Sequence, residues 1–544
     1  MTAVSDPGSR IRESLWPRDE SVPLVEHTVG SLLAQRAGEQ PDAPALVGNA
    51  HGTGRERRLS YGQLYGEAQQ VARALLGIAD PGEFVALWAP NVAEWPIVQY
   101  GAALAGMTLV ALNPVLREHE LRFALGHSGA AVLIHADRSR DYDLAAAVRS
   151  VRADCPHLRT VISLSEWDTW LASGAGSEPL PRPEPGSVAM LQYTSGTTGT
   201  PKGVVLRHRS LVNVAKLTME GAEVERGMIG LNPLPMFHTA ACVIGTLGPL
   251  WLGGCTVLVE RFEPEAALAQ IGREGADVLF YVPTVLGALL EAARNATGRV
   301  PRLRTAMGGA AAVPRTMIES AETRFGAAVH NLFGQTELAP VLAMTRRDDS
   351  RDDLVSTVGR PLPQVDCKIV DTSTGEIQPL GQPGEICARG YQQLVEYLHA
   401  PDETARTVDG DGWVHTGDLG SMDARGMITL TGRLKDLIIR GGENIAPAEI
   451  ESCLAEHDAV REVAVFGLTD ERWGEIVAAA VRVRGERRAG LRAALEAHCR
   501  ERLAPYKVPQ RWFAVDELPV TPTGKVQKFR LTDAVDHDDL TPLE

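Results

Sequence analysis

The stretch YTSGTTGTPKGVVL, Tyr193–Leu206, reads as the end of a strand followed by a phosphate-binding loop. The residues SVAMLQYT predict the strand, and the loop leaves its C-terminal end. Gly196, Gly199 and Gly203 let backbone N–H groups approach phosphate oxygens closely, because no Cβ stands in the way. Thr194, Ser195, Thr197, Thr198 and Thr200 add hydroxyls, and Lys202 adds positive charge. The order departs from the Walker loop, which needs Gly-Lys followed by Ser or Thr. Here Pro201 precedes Lys202 and Gly203 follows it, which argues against a P-loop kinase. On the loop alone, a surface hairpin of small polar residues stays open.

The rest of the chain bounds the answer. At 544 residues it is too long for one hydrophobic core, so two or more domains are expected. A hydrophobic content of 44% with 23% charged residues is that of a soluble globular protein. The net charge of −15 argues against general binding to nucleic acid or an anionic membrane, but leaves room for a local basic pocket. Seven scattered cysteines with no CxxC pair predict neither a disulfide framework nor a zinc site, and fit a reducing, cytoplasmic compartment. Arg10, Arg12 and Glu13 with no apolar run predict no signal peptide. Thr239–Val259 is uncharged, but its glycines and Pro249 predict a buried helix, a Gly-Gly break and the strand CTVLVE rather than a membrane span.

Strand-like and helix-like runs alternate through the first four hundred residues. FVALWAP, EWPIVQYGAALAG, TLVALNP, EHELRFALGHSG and AAVLIHA have the rhythm of parallel α/β layers. Leu171–Gly186 reads as a loop, and Thr345–Asp353 (TRRDDSRDD) as a charged surface turn. KIVDTSTGEIQPLGQPGEICARG reads as short strands with Gly turns. The last hundred residues or so predict a small domain with two helices and two strands. The acidic tail DAVDHDDLTPLE reads as frayed.

The string YTSGTTGTPKGV resembles the signature loop of the adenylate-forming superfamily, which holds acyl- and aryl-CoA ligases, nonribosomal adenylation domains and firefly-type luciferases. Further motifs follow in that family's order. NLFGQTE (331–337) is similar to Tyr-Gly-x-Thr-Glu; the likeness implies that Phe333 stacks on adenine beside Gly334, Thr336 touches the α-phosphate and Glu337 ligates Mg²⁺. Gly308, Gly309 and Ala310 resemble the segment that lines the adenine. Asp418 in HTGD matches the carboxylate that accepts from both ribose hydroxyls, Arg433 resembles a ribose-contacting arginine and Lys435 sits at the hinge position. Lys525 in PTGKVQK resembles the mobile catalytic lysine that neutralises charge as a carboxylate attacks the α-phosphate. His238 falls where the family has a histidine beside the acyl pocket. One departure is Glu396-Tyr397, where the family often has Gly-Tyr.

The resemblance implies an α/β fold: a large N-terminal domain of αβαβα subdomains with a small β-barrel-like piece, and a smaller mobile α+β C-terminal domain. The boundaries expected are 1–432 for the ATP- and acid-binding domain, 433–435 for the hinge and 436–544 for the mobile domain. The implied reaction is acid plus ATP to acyl-AMP and pyrophosphate, with ATP and Mg²⁺ as cofactors. Gly441, Gly442 and Glu443 in GGENIAPAEIE are similar to the acyl-CoA ligase version of that segment, which implies coenzyme A as acceptor. A separate carrier protein, or an adenylate-binding homologue without activity, stays open as an alternative. The ending TPLE is no peroxisomal address, against the luciferase branch. The uncharged runs HTAACVIG and FYVPTV predict a hydrophobic acid. Oligomeric state is not legible.

Overall fold

The computed structural model describes residues 11–194, 201–309, 313–440, 443–485, 490–520 and 526–544, with Glu443 and Asn444 described by backbone alone. The chain forms two compact units. The first comprises Pro17–Asp366 and Ala388–Val414; the second holds the segment ending at Trp16, Cys367–Cys387 and His415–Glu544.

The first unit is built on two sheets. In one, Val188–Thr194, Thr108–Leu112, Phe84–Trp88, Val132–His135 and Thr160–Ser163 run parallel in that order, and Lys202–Arg207 closes one edge antiparallel. Strands such as Phe84–Trp88 are almost wholly apolar and buried, as parallel strands covered on both faces must be. In the other, a parallel core runs Ala328–Phe333, Thr305–Gly309, Val278–Tyr281, Ile229–Asn232, Cys255–Leu258 and Pro44–Asn49. Helices Pro264–Glu274, Pro283–Asn295 and Arg315–Phe325 follow three of these strands and bury Leu268, Leu286, Leu289, Ile318 and Phe325. Proline opens the first two, where its missing N–H is no loss.

The uncharged run at 239–259 enters through a π-helical turn, Ala240–Ile244, continues as the helix Gly245–Leu252 and returns as the strand Cys255–Leu258. At Gly254 a Cβ would lie 2.1 Å from the Met228 carbonyl oxygen, so the break needs glycine. Among the described residues no helix is long and apolar enough to cross a membrane.

Two sequence expectations are corrected. Thr345–Asp353 is not simply a surface turn: Thr345 and Asp353 are buried, and Ser350 caps the helix Arg351–Ser356 in a reciprocal box with Asp353. The capping preference of Ser-x-x-Asp, worth ~1 kcal/mol, outweighed the polarity of the run. The C-terminal tail is not frayed either. Thr541–Pro542 pairs antiparallel with Arg511–Ala514, and Leu543 is buried. One buried leucine and the strand pairing anchor the tail despite its acidic side chains.

The second unit carries a five-stranded sheet, in the order Leu15–Trp16, Val365–Val370, Gly384–Gly390, Val414–Met422 and Ile428–Arg433, whose middle strands carry the chain between units. Its α+β part centres on the antiparallel pair Val460–Asp470 and Gly474–Val483. Side chains of the latter alternate between two cores: Val477, Ala479 and Val481 join Ile450, Leu454 and Leu495, whereas Ala478 and Ala480 join Phe466, Phe513 and Leu531. That alternation is the strand's period of two, with helices covering both faces. All seven cysteines are buried.

Candidate active site

Four neighbouring parallel strands of the first unit end at one edge, and the chain beyond each carries a sequence-predicted group. Ile229–Asn232 leads to His238, Val278–Tyr281 to Val282, Thr305–Gly309 ends on its own glycines, and Ala328–Phe333 leads to Gly334, Thr336 and Glu337. The carboxyl ends of parallel strands are where open α/β sheets bind ligands. Gly308 and Gly309 have a packing reason besides access to a base: a Cβ at either would lie 1.9 Å from the carbonyl oxygen of Tyr281 or Leu332 on the neighbouring strand. Gly334 is held likewise, since a Cβ there would lie 2.1 Å from the Pro340 carbonyl oxygen. His238 lies against Phe237, ring centroids 4.5 Å apart, and burial pushes its imidazole down to about 4, so it is neutral at pH 7.

The opening loop is spanned by a hairpin. Thr194 pairs with Lys202 across the antiparallel strands. Lys202 forms an ion pair with Glu403 and lies 5.0 Å above the Tyr397 ring. The Tyr397 hydroxyl donates to Glu337 Oε1 at 2.7 Å. Burial, then the neighbouring Glu337 carboxylate, raises the Tyr397 phenol, so it stays a donor. Glu337 is buried and has no lysine or arginine partner among the described residues. A buried carboxylate without a cation is costly in isolation and is a hard oxygen ligand, so Glu337 fits Mg²⁺. Thr336 and Glu337 share the single 3₁₀ turn Thr336–Leu338, and Phe333 is buried at the strand end before it.

Glu396 needs no glycine conformation. Its backbone lies along Lys202–Arg207: Val205 N–H donates to the Glu396 carbonyl at 3.0 Å, and Leu398 N–H to the Gly203 carbonyl at 2.8 Å. Extended backbone accepts any residue, and the segment 395–398 thereby sets Tyr397 between Lys202 and Glu337.

In the second unit Asp418 and Arg433 are direct cross-strand partners, with Arg433 Nε 2.8 Å from Asp418 Oδ1. The turn before Asp418 is tied down by Glu385. Its Oε1 accepts from the Gly417 N–H at 3.0 Å, and its Oε2 lies 2.8 Å from His415 Nδ1. His415 also lies 3.5 Å from the Cys387 sulfur. The contacts with the Cys387 sulfur and the Glu385 carboxylate push His415 up to about 10, so it is charged at neutral pH. Burial raises the Cys387 thiol, which leaves the carboxylate as the anion His415 faces. Lys435 lies in the 3₁₀ turn Leu434–Asp436.

Ser195, Gly196, Thr197, Thr198, Ala310, Gly441, Gly442 and Lys525 lie outside the described residues, as does the side chain of Glu443. Sequence reasoning missed Tyr397 as a partner of Glu337, Glu385 and His415 behind Asp418, and Trp473. Trp473 is exposed, with the guanidinium groups of Arg472 and Arg440 5.0 and 5.1 Å from its ring. Only the RW dipeptide at 472–473 could have signalled it, and a Trp in a turn is a weak signal.

Residues 33–398 match the model of the AMP-binding enzyme family, and 449–525 that of the AMP-binding enzyme C-terminal domain. The chain is 34% identical to a sulfoacetate–CoA ligase of Cupriavidus necator, over 94% of this chain and 98% of the relative. It is 31% identical to the bovine mitochondrial medium-chain acyl-CoA ligase ACSF2, over 94% and 88% respectively. Among solved structures it is similar to the anthranilate CoA ligase AuaEII in complex with anthranoyl-AMP, with a TM-score of 0.84 at 26% identity, covering 94% of this chain and 98% of that one.

Proposed function

The chain belongs to the AMP-binding enzyme family and is an AMP-forming acid–CoA ligase using ATP, Mg²⁺ and coenzyme A through acyl-AMP, and from that premise we propose a hydrophobic carboxylic acid as its substrate. One observation carries this reading. The segments leaving the strand ends on either side of the proposed acyl pocket, 233–245 and 280–285, contain no charged residue. Ala241, Cys242, Val243, Phe280 and Tyr281 are buried, and His238, the histidine of that run, is held neutral. A second acidic or amino group on the substrate would find no counter-charge there. The relatives' named acids, from sulfoacetate to medium-chain acyl groups, support no narrower choice.

Bound Mg²⁺ supplies charge neutralisation of the phosphates, and Glu337 is the residue that holds it. The proposed roles of the other residues follow from their chemistry. Thr194 and Lys202, with Ser195–Thr198, hold the departing pyrophosphate; Thr336 donates to the α-phosphate. Phe333 and Gly308–Ala310 take the adenine. Asp418, with two acceptor oxygens, takes the vicinal ribose hydroxyls beside Arg433. His238 orients the acid carboxylate, and Lys525 compensates the negative charge that develops as the carboxylate meets the α-phosphate.

For the second half-reaction, residues 433–435 act as a hinge between 1–432 and 436–544, and the segment around Gly441–Glu443 borders the thiol path in place of Lys525. Trp473, exposed beside Arg472 and Arg440, offers an aromatic surface and two cations, which suits the adenine and phosphates of coenzyme A. The test is a panel of alkanoic, arene, dicarboxylic, sulfonated and amino acids in a pyrophosphate-release assay with coenzyme A. Aliphatic or aryl monoacids should give kcat/KM at least tenfold above dicarboxylic, sulfonated and amino acids; a preference for a charged or amino acid would reject the hydrophobic reading.

A further inference from the structure

We propose that the first unit carries a second anion site, remote from the phosphate loop, that takes a small molecule bearing two or more phosphate charges. The site is a cavity of about 460 Å³ lined by Arg18, Arg207, Arg209, Ser210, Arg389 and Tyr391. That volume is in the range of pockets for nucleotide-sized ligands. The charge is unusual in a chain whose net charge is −15. Arg18 and Arg389 share one carboxylate, Asp366, at 2.5 and 3.1 Å. Arg209 meets Glu26, a side chain that is itself 62% exposed. Arg207 has no carboxylate partner among the described residues. Three of the four guanidinium groups thus meet two carboxylates, and Arg207 meets none among the described residues.

The helix that opens at this cavity makes the same point independently. His208–Gly221 is 14 residues long, Arg207 is its N-cap residue and Arg209 lies in its first turn. It has no side-chain cap and no acid in its first turn. The His208 and Arg209 N–H groups donate to the Ser187 and Pro185 carbonyls, so what the helix start adds is the positive end of its dipole beside two arginines, an arrangement that favours an anion there. His208 between them is pushed down to about 4 by burial, and so does not add a third charge. The Tyr391 hydroxyl is buried with no hydrogen-bond partner among the described residues, a further donor without an acceptor.

The site is separate from the loop that holds ATP phosphates. Arg207 pairs with Val188 at one end of the hairpin, and Lys202 with Thr194 at the other. The strand between spans ~20 Å at the usual rise per residue. Arg18, Arg389 and Tyr391 have no part in the proposed chemistry. Two sources could supply the ligand: free inorganic pyrophosphate, or a phosphorylated nucleoside.

Equilibrium dialysis of the full chain tests the site with two probes, pyrophosphate and adenosine 3′,5′-bisphosphate, on wild type and Arg207→Ser. Serine is a favourable N-cap, so the variant keeps the helix. Wild type should bind one equivalent more than R207S of at least one probe, with the difference shrinking as salt rises, and initial rates of the two should agree within twofold. Extra pyrophosphate alone identifies the inorganic ion; extra bisphosphate identifies a nucleotide-borne phosphate. Equal stoichiometry and affinity of both proteins for both probes would overturn the site.

Discussion

The Tyr397 hydroxyl donates a 2.7 Å hydrogen bond to Glu337 Oε1, so the carboxylate proposed to hold Mg²⁺ is positioned by a residue sixty places further along the chain. The phenol also faces Lys202, whose ammonium lies 5.0 Å from its ring. One side chain therefore braces both a proposed metal ligand and a proposed phosphate ligand.

Tyr397→Phe keeps the ring and removes that hydrogen bond. A hydrogen bond to a charged group is worth roughly 1.5–3 kcal/mol, so adenylation should slow by about tenfold to a hundredfold. The half-saturating Mg²⁺ concentration should rise with it. Rates measured across a Mg²⁺ series check this, and an unchanged Mg²⁺ dependence would separate Tyr397 from the metal ligand.

Glu385→Gln should loosen the turn that carries Asp418, because one carboxylate holds both the Gly417 N–H and His415. KM for ATP is expected to rise about fivefold to tenfold while kcat falls less than threefold, roughly the ~1 kcal/mol of a positioning hydrogen bond. His415 gives a second readout. Its folded pKa of about 10 lies above the ordinary value, so its stabilisation is full below about pH 6.5 and is lost as pH rises toward 10. The thermal midpoint of wild type should therefore fall more steeply between pH 7 and 10 than that of E385Q. Parallel pH profiles would contradict the charged brace.

His238→Ala should raise KM for the acid about tenfold, a loss of ~1.4 kcal/mol. Burial holds the imidazole neutral down to about pH 4. No ionisation of His238 should then appear in the pH profile of kcat/KM between pH 5 and 8. A wild-type ionisation near 6.5 that vanishes in H238A would show the residue working as an imidazolium instead.

Lys525→Ala should reduce acyl-AMP formation at least a hundredfold, yet spare thioester formation from synthetic acyl-AMP and coenzyme A within threefold. Single-turnover assays of each half-reaction measure this. Equal losses in both steps by a folded variant would reject the division of labour between Lys525 and the 441–443 segment.

The α/β architecture was legible because parallel strands covered on both faces read as short uninterrupted apolar runs, as in FVALW and TLVAL. Asp418 and Arg433 were legible as motif residues, and the cross-strand register that joins them is their structural counterpart. What stayed hidden was long-range: Glu385 and Tyr397 are ordinary residues in sequence, and only strand pairing brings them to His415 and Glu337. The capped turn at Ser350 and the docked tail at Thr541–Pro542 were misread for a related reason. Polarity dominates a short window, whereas one cap or one buried leucine decides the structure.

Acid-dependent ATP–pyrophosphate exchange, run with the acid panel and without coenzyme A, tests the acyl-AMP route and the acid class most directly. Exchange is expected with hydrophobic monoacids alone, and conversion to acyl-CoA and AMP once coenzyme A is added. Exchange that requires coenzyme A, or thioester formed with release of ADP and phosphate, would contradict the acyl-AMP route.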